Sequence, residues 1–144
     1  MLKLRKNKKG FTLVELIVVI AIMAVLAGTV AGVTVTQLNK RTDEANHTQA
    51  KKIADTIYEE LLASVEVGVK KADMTTAVTD AYGASVVIFS GNPTQGKQFL
   101  VTIPEDTTAV DSREYTVEYK GKQGAKGNIK YKITATGGVV KVDA

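Results

Sequence analysis

The sequence predicts an α+β fold: a long amino-terminal helix packed on a sheet of four or five mostly antiparallel strands. Three observations carry that expectation. From Phe11 to Asn39 the chain holds one charge, Glu15, and no proline occurs before Pro93. Apolar residues then recur at spacings of three and four as far as Val69, as on a helix with one buried face. Beyond residue 84 the period changes to two, as on strands with one face covered.

Residues 16–39 carry no charge; as a helix they would extend about 35 Å, enough to cross a hydrocarbon core of roughly 30 Å. Lys3, Arg5, Lys6, Lys8 and Lys9 precede this stretch, and Lys40 and Arg41 follow it. That bias predicts a cytoplasmic amino terminus, with the remainder on the other side. An ordinary secretory signal has an apolar region of about 7–15 residues, shorter than this one, although Val25-Leu26-Ala27 and Thr29-Val30-Ala31 offer weak cleavage sites. A plain membrane anchor fits the length but gives no reason for Glu15. An ionised carboxylate inside a bilayer costs roughly 2.5–3.5 kcal/mol on insertion scales, so Glu15 either has a partner or lies close enough to the interface to stay hydrated.

The helical pattern continues through Ala50, Ile53, Ala54, Ile57, Tyr58, Leu61, Leu62, Val65 and Val69, with Lys51, Asp55, Glu59 and Glu66 on the other side. One helix from residue 11 to about 69 would be about 90 Å long. Asp73 is placed to cap a short helix over residues 74–82, ended by Gly83. Strands are expected at Val86–Phe89, Phe99–Ile103, Tyr115–Tyr119, Ile129–Ile133 and Val139–Val142. If the third and fourth pair across Gly121–Asn128, glutamates face lysines, each pair contributing roughly 0.2–1 kcal/mol. The organisation is then a basic leader at 1–10, an apolar helix at 11–39 and a head at 40–144. The head comprises an amphipathic helix at 40–69, the short helix and a sheet within 84–144.

Composition narrows the function classes. The 144 residues, 44% hydrophobic and 24% charged, suit one domain with an appendage. The net charge of +4 belongs to the leader: without its five positive charges, fourteen Lys and Arg face fifteen Asp and Glu. A nucleic-acid reading from overall charge is thereby disfavoured. There is no cysteine and one histidine, His47, which excludes disulfides, thiolate nucleophiles and the usual zinc sites. No phosphate loop, GxGxxG, catalytic triad or HExxH element occurs. Neither catalytic residues nor a cofactor are expected, and the chain is not read as an enzyme.

Lys8-Lys9-Gly10 followed by Phe11-Thr12-Leu13-Val14-Glu15-Leu16-Ile17 resembles the processing motif of type IV pilin precursors and their pseudopilin relatives. The resemblance covers the first 40 residues and extends to the rest only as architecture. It implies that a prepilin peptidase cuts after Gly10, removes the leader and methylates the new amine of Phe11. It further implies that Glu15, at the fifth mature position, draws the subunit into a homo-oligomeric helical filament by pairing with a neighbour's terminal amine. The implied partners are the peptidase, an inner-membrane assembly platform and its ATPase motor. The implied location is a single-pass protein of the cytoplasmic membrane that becomes part of an extracellular pilus. Adhesion, twitching, biofilm formation and DNA uptake all suit such a filament, as does secretion for a pseudopilin. A pseudopilin of a type II secretion-like system and a DNA-uptake (competence) pilin share the amino-terminal features and are the alternatives.

Two departures from the family pattern stand out. Gly32 occupies a position where many type IVa pilins have proline, and Gly28 lies four residues before it. The pair marks a place for close helix packing or a hinge, although glycines are also common in membrane helices without such a role. The absence of the cysteine pair found near the carboxyl end of many Gram-negative pilins points towards a Gram-positive or anaerobic source.

Other clusters have bland readings. Glu105, Asp106 and Asp111 share a loop, and some pseudopilins bind calcium in their heads, but the spacing matches no calcium loop. Asp43, Glu44, Asn46 and His47 read as a solvated helix face. Lys122, Lys126, Lys130 and Lys132 flank a glycine-rich loop without the aromatic array that accompanies nucleic-acid binding, and read as solvated surface.

Overall fold

The structure, a computed structural model, describes residues 10–64 and 68–143. The leader residues before Gly10, and Val65 and Glu66 of the expected helical pattern, lie outside the described residues. The chain divides into two compact units between Gln37 and Leu38.

In the first unit every described residue is exposed, and the backbone is helical from Leu13 onward. This is the amino-terminal part of α1, which runs Leu13–Ala63. It is long and apolar enough to cross a membrane. The helix passes through Gly28 and Gly32 without a break. Around them Thr29 Oγ1 donates to Leu26 O (2.9 Å), Thr34 Oγ1 to Val30 O (2.7 Å) and Thr36 Oγ1 to Gly32 O (3.2 Å). These hydroxyls bond back to carbonyls one turn earlier in the same helix, as Thr42, Thr48 and Thr56 also do further along.

In the second unit the rest of α1 is joined by α2 (Lys71–Tyr82) and five strands. These are β1 (Val87–Ile88), β2 (Phe99–Thr102), β3 (Tyr115–Tyr119), β4 (Ile129–Thr134) and β5 (Gly138–Val142). The strands lie side by side in chain order; β1 and β2 are parallel, and the other three pairings are antiparallel. Alternation sorts their side chains. Phe99, Val101, Tyr115, Val117, Tyr119, Ile129, Tyr131 and Ile133 are buried in one core with Ala50, Ile53, Ala54, Ile57 and Leu61 of α1 and Met74 and Val78 of α2. Ala50 and Ala54 add little bulk on the helix side, leaving room for the tyrosines and Phe99 of the sheet. On the opposite face Glu118 pairs with Lys130 across the β3–β4 ladder (3.9 Å), and Glu114 with Lys132. The expected long helix on an antiparallel-dominated sheet is therefore the observed fold.

Two helix ends differ from the expectation. α1 stops at Ala63 rather than near Val69. Gly68 has φ of 74°, which no helical residue adopts, and its amide donates back to Ser64 O at 2.8 Å. Val69 still joins the core, but from outside the helix. α2 begins at Lys71 rather than Met74, and Asp73 sits inside its first turn instead of capping it. The Lys71 amide donates to Asp106 Oδ1 at 2.7 Å, so the cap arrives from a loop 35 residues away. Gly83, with φ of 88°, closes the helix by donating to Thr79 O.

Candidate processing and assembly site

Gly10, Phe11 and Thr12 precede α1 and are not helical. Phe11 is 90% exposed. The Gly10–Phe11 peptide bond thus lies in open chain just ahead of the first helical turn. What starts the helix there is a reciprocal pair of hydrogen bonds. The Thr12 amide donates to Glu15 Oε2 at 2.9 Å, and the Glu15 amide donates to Thr12 Oγ1 at 3.3 Å. This is a capping box of the Thr-x-x-Glu form. It satisfies two backbone donors that would otherwise be orphaned, and it sets a carboxylate against the positive end of the helix dipole. The sequence reading missed this local role of Glu15, although Thr12 three residues ahead of it is the usual signal. The structure thus brings Gly10, Phe11 and Glu15 together at one helix start, with Thr12 as the residue that organises them. Gly28 and Gly32 lie more than three turns further along, with open space around their α-carbons.

A second polar site sits in the head, and here the solvated-face reading is overturned. Asp43 is 1% exposed. Its Oδ1 accepts from the Tyr119 hydroxyl and the Lys122 amide, both at 2.8 Å. Its Oδ2 accepts from the Gln123 amide at 3.0 Å and from Gln123 Nε2 at 3.3 Å. Asn46 Nδ2 donates to the Tyr119 hydroxyl (2.9 Å) and to Gly96 O (3.3 Å), and His47 Nε2 donates to Gly127 O at 2.7 Å. Of the four residues, Glu44 is exposed; Asn46 ties Tyr119 of β3 to Gly96 in the loop before β2, and Asp43 and His47 clasp the loop between β3 and β4. The loop comes so close because of its glycines. A Cβ on Gly127 would meet Asp43 Oδ2 at 2.3 Å, and one on Gly121 would meet the Gly127 backbone at 2.3 Å.

Burial pushes the Asp43 carboxyl up, but the hydrogen bonds from Lys122, Tyr119 and Gln123 outweigh it and hold the group below its ordinary value of 3.8. Burial is also the main reason that the Tyr119 hydroxyl is pushed up to about 12; Asp43 adds to the shift, and the Asn46 hydrogen bond opposes it. A depressed carboxyl contributes stability above its unfolded pKa and loses it as pH falls through the folded value. A raised phenol contributes below its unfolded pKa and loses it as pH climbs from 10 towards about 12. The stability advantage of the wild type over Asp43→Asn is therefore expected to be level near neutrality and to shrink below about pH 4. Thermal melts of both proteins across pH 2–7 check this, and a constant gap down to pH 2 would contradict it.

The remaining clusters are held internally. Glu105 pairs with Lys71, and Asp106 caps α2. Arg113, buried beside them, donates to the carbonyls of Val69, Asp106 and Thr108 at 2.7–3.0 Å. Among the described residues no group of three His, Asp or Glu is arranged to hold a metal ion. Lys122 and Lys126 are exposed, whereas Lys130 and Lys132 are engaged by Glu118 and Glu114.

A family model described as the prokaryotic N-terminal methylation motif matches residues 5–31. The match takes in Gly10, Phe11, Thr12, Glu15 and Gly28, and stops one residue short of Gly32. Neither the curated proteins nor the solved structures compared with the chain give a significant match. With the glycine–phenylalanine bond open ahead of a capped apolar helix, and the family match laid over the same residues, the amino-terminal segment of this chain carries the type IV prepilin signature.

Proposed function

We propose that the chain is the precursor of a structural subunit of a type IV pilus-like surface filament. The observation that carries the reading is the coincidence of the methylation motif with an exposed Gly10–Phe11 bond and an uncovered apolar helix. In this reading the peptidase hydrolyses that bond, leaving the Gly10 carboxylate on the leader and a free amine on Phe11, which is then N-methylated. The apolar part of α1 holds the subunit in the cytoplasmic membrane, leader inward, until it enters the filament. There the apolar helices of many copies cover one another, which answers the exposure of Leu16, Ile20, Leu26 and their neighbours. Gly28 and Gly32 allow close approach or bending within that bundle.

Glu15 has two tasks in this scheme. Before assembly the capping box keeps one carboxylate oxygen hydrogen-bonded, which lowers the cost of its position near the apolar segment. A carboxylate offers roughly four lone-pair sites, so the box leaves capacity for a neighbour's Phe11 amine. Buried together, amine and carboxylate attract strongly, and either alone is penalised. The pair thereby sets the register between subunits, as a buried polar residue does in a coiled coil.

The processing step is tested by co-expression with a prepilin peptidase. The wild-type chain is expected to lose its first ten residues, and Gly10→Leu to remain full length in the membrane. An uncut wild-type chain, or equal cutting of both, would contradict the assignment of the bond.

A further inference from the structure

Beyond the leader and Glu15 the chain is neutral: residues 16–144 contain fourteen Lys and Arg and fourteen Asp and Glu. Within the second unit these charges are not mixed evenly. At one end of the helix segment that carries the head, Lys40 and Arg41 precede Asp43 on α1. The Lys122 and Gln123 amides hold the β3–β4 loop on Asp43, which brings Lys122 to the same end, with Lys126 following in the same loop. The Asn46 side chain holds Gly96, and the Gly96 amide donates to Lys120 O at 2.7 Å, adding Lys97 and Lys120. Neither residues 94–98 nor residues 120–128 contain an acid. Asp43, Glu44 and Asp143, which the β4–β5 register brings beside Ile129, oppose six positive charges, and Glu44 already lies 4.0 Å from Lys40.

The other end has the opposite sign. Glu59 and Glu60 stand near the end of α1, about 24 Å from Asp43 at 1.5 Å per residue. No basic residue occupies the last turn of that helix. Acids near a helix carboxyl end work against its dipole, so their placement gains nothing from the helix itself. The loop carrying Glu105, Asp106 and Asp111 joins them, because Lys71 binds both Glu105 and Asp106, Arg113 binds Val69 O, and the Gly68 amide reaches back to Ser64. Lys70, Lys71 and Arg113 offset only part of that charge, and Arg113 is buried.

We propose that these two ends are the faces of one contact between copies of this chain, the basic end of one head resting on the acidic end of the next. The inference rests on the filament reading and extends it from the apolar helices to the heads. Two different faces meeting head to tail make a heterologous contact, which repeats without closing and so generates an open filament rather than a two-fold dimer. A two-fold dimer built on either end alone would instead place like charges together. The contact is exposed and electrostatic, so it orients incoming subunits and weakens as salt shortens the Debye length from about 10 Å at 0.1 M to about 3 Å at 1 M.

The test uses the full chain in a host that assembles it, with sheared surface filaments as the readout. Lys122→Glu with Lys126→Glu reverses the basic end, and Glu59→Lys with Asp111→Lys reverses the acidic end. None of these four side chains makes a hydrogen bond within the head among the described residues; the Lys122 bond to Asp43 is from its backbone. Each double variant is expected to lower filament yield roughly tenfold through lost and reversed surface pairs. The quadruple charge swap is expected to restore the yield to within about threefold of wild type. Undiminished yield in both double variants, or a swap no better than either, would overturn the contact. Loss confined to the basic-end variant and accompanied by depletion of the subunit from membranes would also overturn it, pointing to anionic lipid as the partner of the lysines. A wild-type chain that forms no filament would instead remove the filament reading on which the contact stands.

Discussion

Asp43→Ala is expected to destabilise the head by about 3–5 kcal/mol. The carboxylate of Asp43, itself 1% exposed, takes hydrogen bonds from two backbone amides, a phenol and a side-chain amide, and alanine leaves all four donors without that acceptor. Each buried orphan costs about 1–3 kcal/mol, and partial entry of water keeps the total below the simple sum. For a head of about 105 residues this corresponds to a fall in Tm on the order of 15 °C or more. The neighbouring Glu44→Ala is the control, because Glu44 is exposed and, among the described residues, its carboxylate pairs only with Lys40, at 4.0 Å. Its effect is expected within about 0.5 kcal/mol. Tyr119→Phe removes a single donor and is expected to fall between the two, near 1–2 kcal/mol. Thermal or denaturant melts of the three variants measure the series. Equal, small effects for Asp43→Ala and Glu44→Ala would mean that the loop is not held by the carboxylate.

Glu15→Ala is expected to reduce sheared filament about a hundredfold or more while leaving the head's melting transition unchanged. Two buried charges that lose their mutual attraction are worth about 3–5 kcal/mol per contact, and each subunit in the filament makes such a contact. The head is untouched, because Glu15 lies in the first unit and, among the described residues, its side chain bonds only to Thr12. The capping box separates two explanations of a defect. Thr12→Ala disturbs the helix start but keeps the carboxylate, and capping alone is worth about 1 kcal/mol. If Thr12→Ala and Glu15→Ala impair assembly equally, the carboxylate acts only as a cap and not as a partner for an amine. If Glu15→Ala is much the more severe, the intersubunit pair carries the difference.

The parts of the fold that were legible are those set by local periodicity. Tyr115, Val117 and Tyr119 alternate with Thr116 and Glu118, and Ile129, Tyr131 and Ile133 with Lys130 and Lys132, so strand identity, pairing and facing charges could all be read from the chain. The helix face through Ala50, Ile53, Ala54, Ile57 and Leu61 was legible for the same reason. What escaped depends on residues far apart in sequence. The start of α2 is capped by Asp106, and Gly68, whose positive φ no helix holds, lies against Val110 and Arg113 more than 40 residues on. Asp43 was misread because nothing beside it in the chain announces burial. Its partners lie 76–80 residues away, at the end of β3 and in the loop after it, whose close approach depends on Gly121 and Gly127. At the candidate site the motif through Gly10, Phe11 and Glu15, which the family model also matches, was legible in the sequence. The Thr12–Glu15 box is present in the same letters, but a reading of Glu15 as an intersubunit partner or as a hydrated interfacial carboxylate leaves out its helix-start role.

The mass of the amino-terminal peptide, taken from protein in native membranes and in sheared surface material, tests the central claim most directly. A prepilin subunit is expected to begin at an N-methylated Phe11 in the sheared material, with Met1 present only on unprocessed membrane precursor. A chain that begins at Met1 throughout, or just after the Val25-Leu26-Ala27 or Thr29-Val30-Ala31 stretches, would contradict processing at Gly10 and the role given to Glu15.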